Sequence, residues 1–299
     1  SVFASAANTD RDSYYGPGND PLKAYGKTTD LTAMGGAQYV HTFDKCFFMP
    51  SDLTAGLEYN RDRLKDNMWG YNRHTDQTVN IYSAFLQNEW KNDRWGILIG
   101  GRLDKHNMVD NVIFSPRANL RFNPTRNINL RLSYSSGFRA PQAFDEDMHI
   151  ENVGGTVAMI ERAKDLKEEK SQSFSVSADM YHRFGAFQTN LLIEGFYTRL
   201  TDVFVLGEPY DRGDGILVKT RSNGPGAKVM GLTLEGKVAY LSILQIQAGL
   251  TLQRSRYDEP HKWHDDAPAE KKIFRTPDTY GYFTATYTPI KPLSIALSG

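Results

Sequence analysis

Two neighbouring stretches decide the fold, SPRANLRFN at residues 115–123 and INLRLSYSSGFR at residues 128–139. In both, the even-numbered positions are mostly apolar, and the odd-numbered positions are almost all serine, arginine or asparagine. Alternation with a period of two places all apolar side chains on one face of a strand and all polar ones on the other. The two stretches therefore predict paired strands that share one apolar and one polar face.

The same alternation recurs along most of the chain. It marks residues 53–60, 94–106, 173–180 and 244–253, and it begins again at residue 293. Residues 189–205 change parity near Gly195, which predicts a β-bulge at that position. The whole pattern predicts an all-β protein with roughly a dozen antiparallel strands in a meander.

The segments between the predicted strands alternate in length. Short turns are expected at residues 90–94, 123–127, 183–185 and 288–292, and long polar loops at residues 62–75, 140–170, 207–215 and 257–277. Transmembrane β-barrels have short turns on one side of the membrane and long loops on the other. Charged residues on the polar parity also suit a wide, wet interior better than a closed soluble barrel. A soluble β-sandwich with a solvated polar face remains the alternative.

Composition excludes several classes of function. The 35 basic residues equal the 35 acidic ones, so no basic surface for nucleic acid is expected. Cys46 is the single cysteine and has no partner for an internal disulfide. No catalytic motif is present, and we expect neither an enzyme nor a bound cofactor or resident metal.

Aromatic and cationic residues in the long loops are the candidate ligand contacts, because they bind by stacking and by charge. The set consists of Trp69, Tyr71, Arg73, Tyr210, Arg212, Tyr257, His261, Trp263 and His264. The segment HKWHDD at residues 261–266 combines two imidazoles with two carboxylates. Such a segment is either a metal-binding loop or, as we favour, a solvated polar loop.

Several motifs together resemble TonB-dependent outer-membrane receptors. SPRANLR at residues 115–121 is followed by LSYSSGFRAPQAFDE at residues 132–146 and by LKEEKS at residues 166–171. GGRLD at residues 100–104, GFYTRLTDVF at residues 195–204 and GAKVMGLTLEG at residues 226–236 follow the family in the same order. The resemblance implies that residues 1–299 are part of a large transmembrane barrel, with a plug domain and closing strands outside this sequence.

The resemblance also implies a function. Such receptors import a scarce nutrient, an iron-siderophore, cobalamin or haem, across the outer membrane of a Gram-negative bacterium. The implied partners are outer-membrane lipid, the ligand, and TonB acting through the plug. Haem receptors carry a histidine in the region of His149, which adds that residue to the candidates. The polar-parity arginines Arg102, Arg117, Arg121 and Arg131 are expected to contact the plug. A passive porin or a structural surface barrel is the alternative.

Overall fold

A computed structural model describes residues 1–14, 25–143, 151–153, 156–213, 216–262, 268–274 and 276–299. Its strands are β1 (Val2–Tyr14), β2 (Tyr25–Cys46), β3 (Met49–Met68), β4 (Arg73–Lys91), β5 (Trp95–His106), β6 (Ile113–Thr125), β7 (Ile128–Arg139), β8 (Glu151–Val153), β9 (Thr156–Arg162), β10 (Glu169–Phe184), β11 (Phe187–Thr201), β12 (Phe204–Leu206), β13 (Tyr210–Asp211), β14 (Leu217–Asn223), β15 (Ala227–Tyr240), β16 (Leu244–His261), β17 (Glu270–Lys272), β18 (Thr279–Ile290) and β19 (Leu293–Ser298). One 3-10 turn, Trp69–Tyr71, joins β3 to β4. No helix in the described ranges is long and apolar enough to cross a membrane.

Fourteen strands form one antiparallel sheet, which we call the wall. Its order is β1-β2-β3-β4-β5-β6-β7-β10-β11-β15-β16-β18-β19, and β17 pairs with β16. At one end, the short-turn end, hairpins such as β4–β5 and β10–β11 connect neighbouring strands through two or three residues. The predicted all-β meander and the alternation of turn lengths are thereby confirmed.

The wall has one apolar and one polar face. On the apolar face Val176 of β10 lies opposite Leu132 of β7, and on the polar face Ser177 lies opposite Arg131. The apolar side chains are not buried: Val176 is 59% exposed and Leu132 51%. A sheet that leaves its apolar face uncovered by protein is suited to a lipid environment.

Five short strands form a second sheet, which we call the small sheet. Its order is β12-β14-β9-β8, with β13 paired to β14, and β14 runs parallel to β9. The small sheet lies at the long-loop end of the wall, where Met159 and Ile216 pack against Met68 and Tyr71. Glu58 lies on the polar face of β3, where it forms an ion pair with Arg102. Met68 is ten residues further along the same strand, so its side chain is on the same face. The small sheet therefore covers the polar face.

The predicted bulge at Gly195 is wrong. β11 keeps an unbroken register past Gly195 with both β10 and β15. The parity change instead reflects Phe196, an aromatic residue on the polar face. A Cβ added to Gly231 on the neighbouring strand would lie 2.6 Å from Phe196 Cζ, so the ring occupies the space that this glycine leaves open.

The predicted long loop at residues 62–75 is also wrong in most of its length. β3 continues to Met68 and β4 begins at Arg73, so the connection is confined to residues 69–72. The strands β1 and β2 gave no clear alternation signal, because small residues such as Ala33, Gly35 and Ala37 occupy much of their apolar face.

Candidate functional site

A buried ion pair fixes the tip of the β3–β4 hairpin. Arg73 Nη2 donates to Asp66 Oδ2 at 2.8 Å, and Arg73 Nε donates to the same oxygen at 3.1 Å. The hydroxyl of Thr28 donates to Asp66 Oδ1 at 2.6 Å. The Asp66 side chain is 2% exposed and that of Arg73 10%, so the pair is shielded from water. It holds the tip of the hairpin in place at the long-loop end of the wall.

Gln77, on the polar face of β4, attaches the following loops to the wall. Its Oε1 accepts hydrogen bonds from Arg162 Nη1 and from the backbone N–H of Ala143, both at 2.8 Å. Arg162 Nη1 also donates to the carbonyl of Pro141 at 2.9 Å. Gln77 is only 7% exposed, so these hydrogen bonds are shielded from water. Through them, this one side chain fixes both the start of the 140–168 connection and the end of β9.

His106 supports the same region from β5. Met108 N–H donates to His106 Nδ1 at 3.0 Å, so Nε2 carries the proton and donates to Gln142 Oε1 at 3.2 Å. Burial lowers the pKa of His106, although the bond to Gln142 and the charge of Asp104 oppose that shift. The neutral ring is therefore a structural support of residues 140–143.

Arg212 connects the small sheet to the hairpin tip. Its Nη2 donates to the carbonyl of Tyr71 at 2.8 Å, and its Nη1 lies 4.0 Å from Glu161 Oε1. The carbonyl of Tyr71 belongs to the last residue of the 3-10 turn. The guanidinium therefore spans the gap between the tip and β9.

These attachments enclose a recess of about 630 Å³ between the hairpin tip and the small sheet. Among the described residues, the charged side chains that line it are four cations and one carboxylate, namely Arg73, which is paired with Asp66, and Arg162, Lys164, Arg212 and Glu161. Ligand sites for compact organic molecules are typically about 300–1,000 Å³. In size and charge the recess suits a compact anion, which the cations would bind through charge-assisted hydrogen bonds.

The four arginines predicted to contact a plug lie on the polar face, and three of them have contacts within the wall. Arg102 forms ion pairs with Glu58 at 2.6 Å and with Asp104 at 2.8 Å. Arg121 donates to the Asn92 carbonyl at 3.1 Å, and Arg131 donates to Asn129 at 2.7 Å. Arg117 lies opposite Gly100 and Ser135. Plug contact stays a prediction for all four.

The predicted loop candidates do not form one cluster. Arg73 and Arg212 meet at the recess. Trp69 is exposed at the hairpin tip, and Tyr71 is buried there in the cluster with Met68. His149, Trp263 and His264 lie outside the described residues.

Three candidates lie elsewhere. Tyr210 is exposed on β13. Tyr257 is buried in a separate cluster with Val203 and Ala227, and its ring centroid is 5.8 Å from that of His261. In the part of the chain that is described, no group of three or more histidine, cysteine, aspartate or glutamate side chains is arranged to hold a metal ion.

Sequence reasoning missed Gln77, Arg162 and Lys164. Arg162 and Lys164 fall in a segment for which the sequence predicts only a long polar loop. The alternation of Thr156–Arg162 is too short to stand out, and a lone glutamine on a strand carries no motif. Their roles depend on the docking of the small sheet, which no local pattern encodes.

Comparison with known proteins identifies the family. The chain matches the family described as TonB dependent receptor-like, beta-barrel, over residues 2–297. None of the curated proteins matches the chain in sequence.

Several solved structures are similar in fold. The siderophore receptor PirA from Pseudomonas aeruginosa superposes with a TM-score of 0.67 at 13% identity, covering 99% of this chain and 55% of that one. The FrpB iron transporter from Neisseria meningitidis has a TM-score of 0.67 at 15% identity, with coverages of 99% and 47%. A mutant of the ferric enterobactin receptor PfeA from Pseudomonas aeruginosa, in complex with enterobactin, has a TM-score of 0.62 at 17% identity, with coverages of 99% and 53%. The chain thus spans about half the length of these structures.

Proposed function

Because the chain belongs to the TonB-dependent receptor-like β-barrel family, we propose that the whole protein is an outer-membrane receptor that imports an anionic iron chelate with energy relayed by TonB. In this placement the apolar face of the wall contacts lipid and the polar face lines the lumen. The long-loop end is extracellular and the short-turn end periplasmic. The similar structures include a siderophore receptor, an iron transporter and a ferric enterobactin receptor, which supports iron as the cargo.

The recess is the single observation that carries the ligand class. It opens at the extracellular end, and four arginine and lysine side chains line it, of which Arg73 is already paired with Asp66 and Arg212 lies near Glu161. A lining rich in arginine and lysine attracts anions more strongly than cations. An iron-siderophore with net negative charge fits better than cobalamin. Haem would need an iron ligand, and His149 is the residue that the sequence offers.

Uptake of radioactive iron tests the proposal. The full-length protein would be produced in a Gram-negative host that lacks its own iron-chelate receptors, and uptake of an anionic ferric siderophore would be measured. We expect uptake that stops when the proton-motive force is collapsed, while binding to the cells persists. Uptake that continues without the proton-motive force would instead indicate a passive porin, and absence of binding would overturn the proposed ligand class.

Charge reversal in the recess sharpens the test. Lys164 lines the recess and is exposed, so Lys164→Glu changes the charge there without removing an anchor of the small sheet. We expect the Kd for the ferric siderophore to rise about tenfold, as reversal of one charge near a bound anion predicts. Lys27→Glu is the matched control, because Lys27 is exposed at the same end of the wall but on the apolar-face parity. Equal affinity in the two variants would remove the recess as the binding site.

A further inference from the structure

The apolar face of β16 ends in cations at its extracellular side. From Leu244 to Leu252 every second residue is apolar, and the next two residues on the same face are Arg254 and Arg256. The strand rises by about 3.3 Å per residue and is tilted by roughly 40°, so Arg254 lies about 25 Å above Leu244 along the membrane normal, which is the thickness of the apolar band of such barrels. The two arginines therefore lie at the level of the outer-leaflet headgroups.

Neighbouring strands carry cations at the same level. Lys228 of β15 pairs directly with Arg256 of β16 and with Arg199 of β11. Lys272 of β17 also pairs with Arg256. Cations directly opposite each other on a sheet repel one another. Such a row is stabilised when an anion binds across it.

The carboxylates in this area neutralise only part of the row. Arg199 Nη1 donates to Asp258 Oδ1 at 2.7 Å, and Lys272 Nζ lies 3.0 Å from Asp278 Oδ2. Lys228 and Arg254 form no ion pair within the described ranges. Five cations (Arg199, Lys228, Arg254, Arg256 and Lys272) thus face two carboxylates (Asp258 and Asp278).

Directly below the row, a groove of about 780 Å³ lies in the apolar face. It exists because Gly195 has no side chain between Val176 of β10 and Leu232 of β15. Phe174 and Met230 border the groove, and Arg254 lies at its upper edge. An acyl chain seated in the groove would therefore place its headgroup against the cation row.

We propose that the groove and the cation row form a binding site for an anionic lipid of the outer leaflet. One acyl chain lies against Gly195, and the lipid phosphate contacts Lys228 and Arg254, which are the two cations without an ion pair in the described residues, since Arg256 Nη1 lies 3.7 Å from Asp278 Oδ1. This inference requires the membrane placement proposed above, but neither the iron chelate nor TonB coupling.

Native mass spectrometry of the detergent-solubilised full-length protein tests the site, with phosphatidylglycerol as the anionic probe and phosphatidylcholine as the zwitterionic one. We expect one phosphatidylglycerol to bind in preference to phosphatidylcholine. The double variant Lys228→Gln/Arg254→Gln should weaken that binding about tenfold or more. Arg126→Gln/Lys291→Gln removes two cations from exposed periplasmic turns, and this control should bind phosphatidylglycerol like the wild type.

Two further experiments separate the contribution of the lipid's acyl chain from that of its headgroup. Gly195→Leu should reduce phosphatidylglycerol binding, and the position tolerates a side chain, since an added Cβ would meet only Val176 Cγ1 at 3.7 Å. Glycerol phosphate, which has no acyl chain, should compete poorly.

Three results would overturn the site: equal binding of the two lipids, equal loss in the control double variant, or full competition by glycerol phosphate. Iron uptake is expected to be unchanged in Lys228→Gln/Arg254→Gln. A negative lipid result with normal uptake would therefore reject the lipid site and leave the transport proposal standing.

Discussion

The wall and the small sheet are built from the same kind of element but are held in place differently. In the wall, most interior strands are paired along most of their length with both neighbours, and the alternation of side chains fixes which face is apolar. The small sheet has strands of two to seven residues and is attached through a few side chains, above all Gln77, Arg162 and Arg212. The wall is therefore specified by a repeated pattern, and the small sheet by individual contacts.

That difference matters for function. A repeated pattern tolerates the loss of any one polar side chain, whereas a sheet that depends on a few anchors changes position when one of them is lost. The candidate binding recess lies between the two regions. One side is formed by the continuously paired wall, and the other by the small sheet, which is held by few contacts.

The largest effect is expected where the two regions meet. Asp66→Ala leaves the buried guanidinium of Arg73 without its carboxylate, which we expect to cost about 3–5 kcal/mol in the local stability of the hairpin tip. Limited proteolysis should then cleave near residues 69–75, while the short-turn end of the wall keeps its protection. Asp76→Asn is the control, because Asp76 is exposed and forms only a surface ion pair with Lys65. An uncleaved tip in Asp66→Ala would show that the pair is not an anchor.

A charge on the apolar face tests the wall itself. Val176→Arg places a cation on the lipid-facing side and should cost about 2–4 kcal/mol in folding into lipid vesicles. Ser175→Arg, on the adjacent residue and the opposite face, should cost much less, because its side chain points into the hydrated lumen. Gel-shift assays of folding against urea concentration measure both variants. Equal losses would contradict the assignment of the two faces.

Loss of a buried side chain tests how the small sheet is held against the hairpin tip. Met159 is 1% exposed in the cluster with Met68 and Tyr71. Met159→Ala should reduce the local stability of the small sheet by about 2 kcal/mol, since truncation of a buried methionine leaves a cavity. Hydrogen exchange of β9 and β14 should accelerate while that of β10 and β11 stays constant. Acceleration throughout the wall would show that the two regions unfold as one unit.

The smallest effect concerns pH. Burial and the adjacent Asp30 carboxylate raise the pKa of Asp62, on the polar face above the membrane span, to about 6 from an ordinary 3.8. The folded protein therefore binds the proton of the Asp62 carboxyl group more tightly than the unfolded chain does. That stabilisation is complete below about pH 4 and is lost as the pH rises through about 6.

Asp62→Asn removes this dependence. At about pH 7.5 the variant should be more stable than the wild type by about 1 kcal/mol, a figure reduced for the partial exposure of the site. Near pH 4 the two proteins should have the same stability. Thermal unfolding in detergent at both pH values provides the measurement. A wild-type advantage at the higher pH would contradict a raised pKa of Asp62.

The wall could be predicted from the sequence because period-two alternation is local and repeats in every strand, as in residues 115–123 and 128–139. The exceptions have local causes as well: Phe196 fills the space over Gly231, and small residues mask the alternation of β2. The small sheet could not be predicted in this way. Gln77 and Arg162 are 85 residues apart, and nothing in the local sequence of either indicates the contact.

The recess was therefore found only in part. The sequence predicts Arg73 and Arg212 as loop cations but does not single out Arg162 or Lys164. It also predicts Tyr257 at a binding loop, whereas Tyr257 is buried in another cluster. Residue type indicates only which side chains are suited to ligand binding. The set of side chains that come together in one site depends on how the loops fold back over the polar face.

The central claim is that the small sheet, docked on a lipid-embedded wall, forms the ligand site. Hydrogen exchange of the full-length protein with and without an anionic ferric siderophore tests it most directly. We predict added protection in residues 69–75 and 159–166, which border the recess, and unchanged exchange in the membrane-spanning part of β10 and β11. Binding that leaves both recess segments unprotected would contradict the account.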